Sequence, residues 1–342
     1  MKILITGGAG YIGSHLVDRL LDRGDEVYVI DNLSTGKIQN IQHHLGEPNF
    51  VFVNDTILNE DLVDRLAARV DLIYHLAATV GVKHVVEDPL KGVITNVQGT
   101  EVVLKHAYKY WKRVLIASTS EVYGKTTKFP FSEDDDRVLG ATSVHRWSYS
   151  TAKAIDEHIA FAYHDKGLPV SIVRYFNSFG PRIDERGYGT VVAQFVRQAL
   201  SGQPLSIHGD GKQSRCFTYI GDTIEGTVRA AEMKKAVGRC FNIGTTEETT
   251  ILDLASRVID LTESKSEIAH IPYERVFGPG FEDTNRRLPS MERAKNYLDW
   301  QPKVTLEEGL QKTIAWCKEN FSRSRNGADG FAEAKNGTWP GA

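Results

Sequence analysis

Tyr149 and Lys153 stand four residues apart in W-S-Y-S-T-A-K-A-I-D-E-H-I. On a helix they share a face. A lysine ammonium beside a phenol favours the phenolate, which gives a usable base near neutral pH. Alone, this spacing more often marks a plain surface pair. A second candidate, Glu121, lies in S-T-S-E-V-Y-G (residues 118–124), just past an apolar run. Its bland reading is a helix-capping or salt-bridged carboxylate. Its place at the C-terminal edge of a sheet strand, where open α/β folds bind ligands, argues for more than that.

A third stretch, T-G-G-A-G-Y-I-G, places Gly7, Gly10 and Gly13 between an apolar strand and the helical pattern Y-I-G-S-H-L-V-D-R-L-L. Glycines let the backbone approach a pyrophosphate, and a helix N-terminus offers amide donors and a favourable dipole. Position between strand and helix separates this motif from a ligand-free glycine turn. Asp31 closes the second strand, where a carboxylate accepts hydrogen bonds from the adenine ribose and repels a 2′-phosphate. NAD is therefore favoured over NADP. Asp55, after F-V-F-V-N, is either a strand-end turn residue or a neighbour of the adenine. Ala77 and Ala78 in H-L-A-A are small where the cofactor backbone would pass, or where elements simply pack closely.

Positioning these residues requires a layered scaffold. The runs K-I-L-I-T, E-V-Y-V-I-D, F-V-F-V-N-D, L-I-Y-H-L-A and R-V-L-I-A-S alternate with helical apolar spacing. A sixth, P-V-S-I-V-R-Y-F, follows a helix expected near 147–166. Such alternation predicts an α/β fold, a Rossmann-type doubly wound parallel sheet. Beyond 178 the chain is richer in Gly, Pro and charged turns, with helices expected near 190–201, 221–235 and 250–263. The expected division is a dinucleotide-binding domain over 1–177, a smaller mixed α/β substrate region over 178–321, and a loose tail over 322–342.

Composition narrows the function classes. With 41 basic and 44 acidic residues, and a formal net charge of -3, no basic field points to nucleic acid. Three cysteines, Cys216, Cys240 and Cys317, are widely separated, which fits neither a disulfide framework nor a thiolate metal site. A reducing, cytoplasmic setting is the expectation. No apolar run approaches the length needed to span a bilayer, and the N-terminus is too poor in apolar residues for a signal sequence. The histidines, His43 and His44 included, show no metal-ligand spacing, so no metal is expected.

Taken together, the glycine fingerprint, T-S-E-V-Y-G and Y-S-T-A-K resemble the extended short-chain dehydrogenases/reductases, the group of NAD-dependent nucleotide-sugar epimerases, dehydratases and decarboxylases. The likeness runs from Met1 to about Phe321. It implies a permanently held NAD, contacted by Gly7, Gly10, Tyr11, Ile12, Gly13, Asp31, Asn32, Asp55, Thr56, Leu76, Ala77, Ala78, Asn96, Tyr149 and Lys153. It also implies that Tyr149 takes the proton from the sugar 4-hydroxyl while hydride leaves C4, with Thr119 hydrogen-bonded to the same oxygen. In R-Y-F-N-S-F-G-P-R, Asn177 would donate to a substrate phosphate, and Arg215 would bind the diphosphate with a fork suited to it. Thr190 would reach the nucleotide and Asp283 the uridine ribose. A homodimer built on the helices near 92–110 and 148–165 is a further implication.

Oxidation at C4 acidifies the C5 hydrogen and turns a carboxylate on C5 into a β-keto acid, so one intermediate opens three fates: 4-epimerisation, 4,6-dehydration or decarboxylation. The dehydratases of this family carry an Asp-Glu pair after the threonine, whereas Ser120 here takes the aspartate's place, which weakens dehydration. T-S-E-V-Y-G, R-W-S-Y (146–149) and R-L-P-S (287–290) resemble UDP-glucuronate decarboxylases. In that branch the arginine matching Arg287 stands near the sugar carboxylate and C5, and Ser120 and Glu121 complete its surroundings. Glu121 would then either raise the energy of the substrate carboxylate or relay a proton to C5. R-Y-F-N and G-T-V-V lie closer to 4-epimerases. The leading expectation is UDP-glucuronate decarboxylation. The alternatives are a UDP-glucuronate or UDP-glucose 4-epimerase, and a non-catalytic NAD-binding sensor of the same fold.

Overall fold

The computed structural model describes residues 1–80, 88–183, 191–277 and 284–325 of the chain. Seven strands form one parallel sheet: β1 (Lys2–Thr6), β2 (Glu26–Ile30), β3 (Phe50–Val53), β4 (Leu72–His75), β5 (Arg113–Thr119), β6 (Val170–Tyr175) and β7 (Arg239–Ile243). Their spatial order is β7-β6-β5-β4-β1-β2-β3. Helices α1 (Tyr11–Asp22), α2 (Glu60–Arg69), α3 (Pro89–Lys109) and α4 (Ser148–Asp165) connect them.

The alternation of side chains along each strand divides the core in two. On one face, Ile3, Ile5, Val27 and Val29 pack with Leu16, Val17 and Leu20 of α1. On the other, Leu4, Ile30, Ile73, Val114 and Ile116 pack with Val63 and Leu66 of α2 and with Val103 and Leu104 of α3. Central strands buried on both faces must read as continuous apolar runs, which is why they were legible. The strand order reverses between β1 and β4, and the mouth of an open α/β sheet at such a point is where ligands bind.

Helices α5 (Val191–Leu200), α6 (Ile220–Glu232) and α7 (Ile251–Thr262) follow, with a last helix over Leu306–Arg325. The boundary expected at 177 is not a clean one. β7 pairs with β6 from Arg239↔Ser171 to Ile243↔Tyr175, and Ile224 and Val228 of α6 join the core beneath α1. The remaining part has its own core around Phe179, Phe195, Leu254 and Leu310. Small sheets lace it together: Ser214–Cys216 pairs antiparallel with Glu248–Thr250 and parallel with Arg286–Arg287. The last helix continues to Arg325, past the 322 at which a loose tail is expected; the rest of that stretch, 326–342, lies outside the described residues. Among the described residues, no helix is long and apolar enough to cross a membrane.

Candidate active site

Gly7 turns the chain out of β1 with φ +74°, and a Cβ there would lie 2.8 Å from the Ala77 nitrogen. At Gly13 a Cβ would meet the Gly7 carbonyl oxygen at 2.2 Å. Only glycine allows α1 to start this close to the turn. Gly10 caps α1 without any side-chain hydrogen bond, so the first amides, including those of Tyr11, Ile12 and Gly13, face outward as an anion cradle. The Tyr11 hydroxyl is buried nearby with no hydrogen-bond partner. These features fit a dinucleotide.

Asp31 accepts hydrogen bonds from Ala9 N–H (3.0 Å) and Leu33 N–H (2.8 Å). Burial raises its carboxyl above the ordinary value, and the two amides pull it back. Two bonds leave acceptor capacity for ribose hydroxyls. Asn32 accepts from Ser34 N–H, and Thr56 Oγ1 from Leu58 N–H, each shaping a turn. Asp55 is engaged by Thr56 N–H (2.7 Å) and Asn59 Nδ2 (2.8 Å), which makes it a turn-former at the entry to α2. The buried amide of Asn96 clasps Thr79, accepting from its N–H (2.7 Å) and donating to its carbonyl (3.2 Å). Upstream, Leu76 N–H reaches the Thr6 carbonyl and Ala77 N–H the Thr6 hydroxyl, with Ala78 following on the same segment.

At the end of β5, Thr119 caps a 3-10 turn over Ser120–Tyr123, accepting from Glu121 N–H at 3.2 Å. Ser150 of α4 donates to the Glu121 carbonyl at 2.7 Å, which fixes the turn against the first helical turn. Ser120 is buried there. Tyr149 is half-buried beside Thr119; burial raises its phenol far above the ordinary value, the Glu121 and Asp156 carboxylates push the same way, and Thr119 opposes them. One turn further along α4, Lys153 Nζ lies 2.8 Å from Asp156 Oδ2.

The Glu121 side chain is met by Arg146 on Oε2 and by Arg287 Nη1 at 3.6 Å from Oε1. Arg287 stands opposite Arg215 in the short strand pairing. Burial pushes the Glu121 carboxyl up, but the fields of Arg146 and Arg287, the Arg146 hydrogen bond and the field of Arg215 outweigh it and hold the value at about 2. Glu121 is thus a fixed anion. Asn177, at φ +29°, keeps its side-chain oxygen buried without a partner at the end of β6. Thr190 and Asp283 lie outside the described residues.

Two site residues carry no role in the sequence motifs: Arg146, a cation three residues before the tyrosine, and Asp156, an acid three residues after the lysine; that spacing is their one local signal. His43 and His44, though without ligand spacing in the sequence, gather at Asp18 Oδ1 (3.1 and 2.9 Å). Arg182 holds the other Asp18 oxygen at 2.7 Å, so the cluster reads as an ion-paired brace between α1 and its neighbours.

A family model described as GDP-mannose 4,6-dehydratase matches residues 4–313. The chain belongs to that family, within the extended short-chain dehydrogenases/reductases. It is 44% identical over 318 residues (93% of this chain, 98% of the relative) to a UDP-N-acetyl-alpha-D-glucosaminuronate decarboxylase of Bacillus cytotoxicus. It is 38% identical over 95% of its length to UDP-glucuronic acid decarboxylase 1 of Danio rerio, of which 74% is covered. A UDP-glucuronic acid 4-epimerase from Bacillus cereus, solved with UDP-glucuronic acid and NAD, superposes with TM-score 0.83 at 33% identity, covering 94% of this chain and all of that one. The protein is accordingly an NAD-dependent nucleotide-sugar enzyme, and the sensor alternative falls away.

Proposed function

We propose that the enzyme oxidises C4 of a UDP-hexuronate and decarboxylates it. The observation that carries this is the ionised Glu121 among Arg146, Arg287 and Arg215, beside Tyr149 and Thr119. Tyr149 takes the 4-hydroxyl proton, and Thr119 holds the same oxygen. Bound NAD supplies the hydride acceptor. The resulting ketone makes the C6 carboxylate a β-keto acid: the C5–C6 bond breaks, carbon dioxide leaves, and the electron pair enters the C4 carbonyl as an enolate stabilised by Tyr149 and Thr119. C5 then takes a proton.

Held by Arg146 and ionised down to about pH 2, Glu121 is a poor proton donor. Its role is electrostatic: it raises the energy of a nearby substrate carboxylate, which the loss of carbon dioxide relieves. Arg287 positions that carboxylate, while Asn177 and Arg215 take the diphosphate. Gly7, Gly10, Gly13 and Asp31 hold the cofactor. Both a glucuronate and its 2-acetamido counterpart fit this chemistry, and the relatives name each.

The test is to incubate the NAD-loaded enzyme with UDP-glucuronate and with UDP-2-acetamido-glucuronate and to weigh the products by mass spectrometry. A product lighter by carbon dioxide is expected. Unchanged mass with inverted C4 moves the assignment to 4-epimerase, a reading favoured by the Bacillus cereus structure. No conversion of either uronate removes both. We place the enzyme in the cytoplasm as a homodimer, supported by three free buried thiols and by exposed Leu90 and Ile94 of α3 and Ile155 of α4 on packed neighbouring helices. Light scattering of the purified protein checks the dimer.

A further inference from the structure

Tyr149, Lys153 and Asp156 stand at i, i+4 and i+7 on α4, so successive turns bring them onto one face. The Lys153 ammonium is 2% exposed and the Asp156 carboxylate 0%, with 2.8 Å between Nζ and Oδ2. A lysine removed from water this completely needs a hydrogen-bonded counter-charge. Burial raises the Asp156 carboxyl above the ordinary value, and the Lys153 charge, the Lys153 hydrogen bond and Thr100 of α3 oppose it; the Thr100 hydroxyl lies 3.0 Å from His75 Nε2. His75 Nδ1 meets the Thr6 hydroxyl at 2.8 Å, and that hydroxyl accepts from Ala77 N–H. A buried polar chain therefore runs from Thr100 of α3, through His75, to the turn beneath the cofactor cradle.

Paired in this way, the lysine charge is one end of a compact dipole, whose field at Tyr149 is weaker than that of a lone ammonium. We propose that Asp156 is a positioning residue: it fixes the Lys153 ammonium and offsets its charge at the Tyr149 phenol, and so sets the pH at which Tyr149 acts as base. This rests on Tyr149 being that base. The charged groups facing the site are Glu121 from the turn after β5 with the Arg146, Arg287 and Arg215 around it, Lys153 and Asp156 from α4, and the titratable His75 from β4; Glu157, next to Asp156, is paired with Arg174 at 2.6 Å.

The experiment is a pH titration of tyrosinate ultraviolet absorbance in the NAD-loaded protein, with the Tyr149→Phe protein subtracted. Asp156→Asn keeps the shape and an acceptor oxygen but removes the charge. Its Tyr149 midpoint should fall by about one pH unit, and the acid limb of kcat should move with it. A folded Asp156→Asn protein with an unmoved midpoint overturns the proposal, since a purely structural aspartate would lower stability without displacing the titration. Should that variant not fold, Asp156→Glu decides: its retained charge should keep the midpoint at or above that of the wild type, and a fall overturns the proposal. If neither the wild type nor Asp156→Asn leaves a Tyr149 signal, it is the assignment of Tyr149 as base that fails, and this proposal with it; a signal in Asp156→Asn alone upholds the proposal. The titration needs no sugar, so it is independent of which uronate is the substrate.

Discussion

Two charged clusters flank Tyr149 and are built in opposite ways. Lys153 and Asp156 form a one-to-one pair within a single helix, sealed from water and braced by Thr100 and His75. Glu121 is instead a single carboxylate facing Arg146, Arg287 and Arg215, which three separate segments deliver. The first cluster is neutral in sum and dominated by burial. The second is dominated by positive charge, which overcomes burial to keep its acid ionised. A neutral, dry pair suits the holding of a base whose charge changes once in the reaction. A cationic cluster suits a dianionic diphosphate and a uronate carboxylate, and in the function we propose Glu121 supplies the local repulsion that favours loss of carbon dioxide.

The largest effect should come from removing the group that both clusters face. Tyr149→Phe should lower C4 oxidation by about a thousandfold while NAD stays bound, as followed by NADH absorbance after addition of UDP-glucuronate. Turnover within a few-fold of wild type would dissolve the comparison, because neither cluster would then be serving a base. Next comes the charge at the centre of the cationic cluster. Glu121→Gln should slow release of carbon dioxide by about a hundredfold and leave C4 oxidation within a few-fold. It should also lower stability by about 3 kcal/mol in denaturant titration, because the arginines lose their shared carboxylate. Equal loss of both partial reactions would mark Glu121 as structural.

What could be read from the sequence followed from how local each feature is. The glycine fingerprint, the i, i+4 pair of Tyr149 and Lys153, and six of the seven strands of the main sheet are written within short windows. The seventh strand, R-C-F-N-I, carries an arginine and an asparagine and follows the apparent end of the domain. Asn242 is tolerated inside it because Tyr123 donates to its oxygen at 2.7 Å and its amide nitrogen donates to the Phe131 carbonyl at 2.9 Å. Nothing in the local pattern announces those partners. The same holds for the arginine cluster. Arg215 and Arg287 become neighbours only through the pairing of two short strands, and Arg146 reaches Glu121 only because the first turn of α4 is pinned to the turn after β5. Asp156 was visible at i+3 from Lys153, yet an acid there ordinarily reads as a solvated helix pair. Burial, which the spacing does not encode, changes its meaning.

A milder change sharpens the contrast between the arginines and the lysine. Arg146→Lys keeps the positive charge but loses the planar fork that grips the Glu121 carboxylate. Decarboxylation should fall about tenfold, with C4 oxidation nearly unchanged, so that the ratio of NADH formed to carbon dioxide released in a single turnover rises. An unchanged ratio would show that Arg146 acts only through its charge.

The smallest effect on activity, and the sharpest division between the clusters, should come from acid. Glu121 has its carboxyl held at about 2, below the ordinary value, so the stability it contributes is fully present above the unfolded carboxyl value near 4.3 and is lost progressively from there as pH falls through about 2. His75, beside the sealed pair, destabilises the fold in the same direction but over a window that opens at higher pH. Burial, aided by the Lys153 charge, lowers its imidazole to about 3, so between about 6.5 and 3 the unfolded chain binds a proton that the folded chain refuses. Stability should therefore fall by as much as ~1.4 kcal/mol per pH unit through that window on account of His75 alone. His75→Gln removes the titrating group while retaining polar atoms for Thr6 and Thr100. In urea titrations from pH 7 to 4 its stability should decline less steeply than that of the wild type, with turnover at pH 7 within about twofold. Parallel declines would place the acid-sensitive group elsewhere and leave the lysine side of the site no more vulnerable to protons than the arginine side.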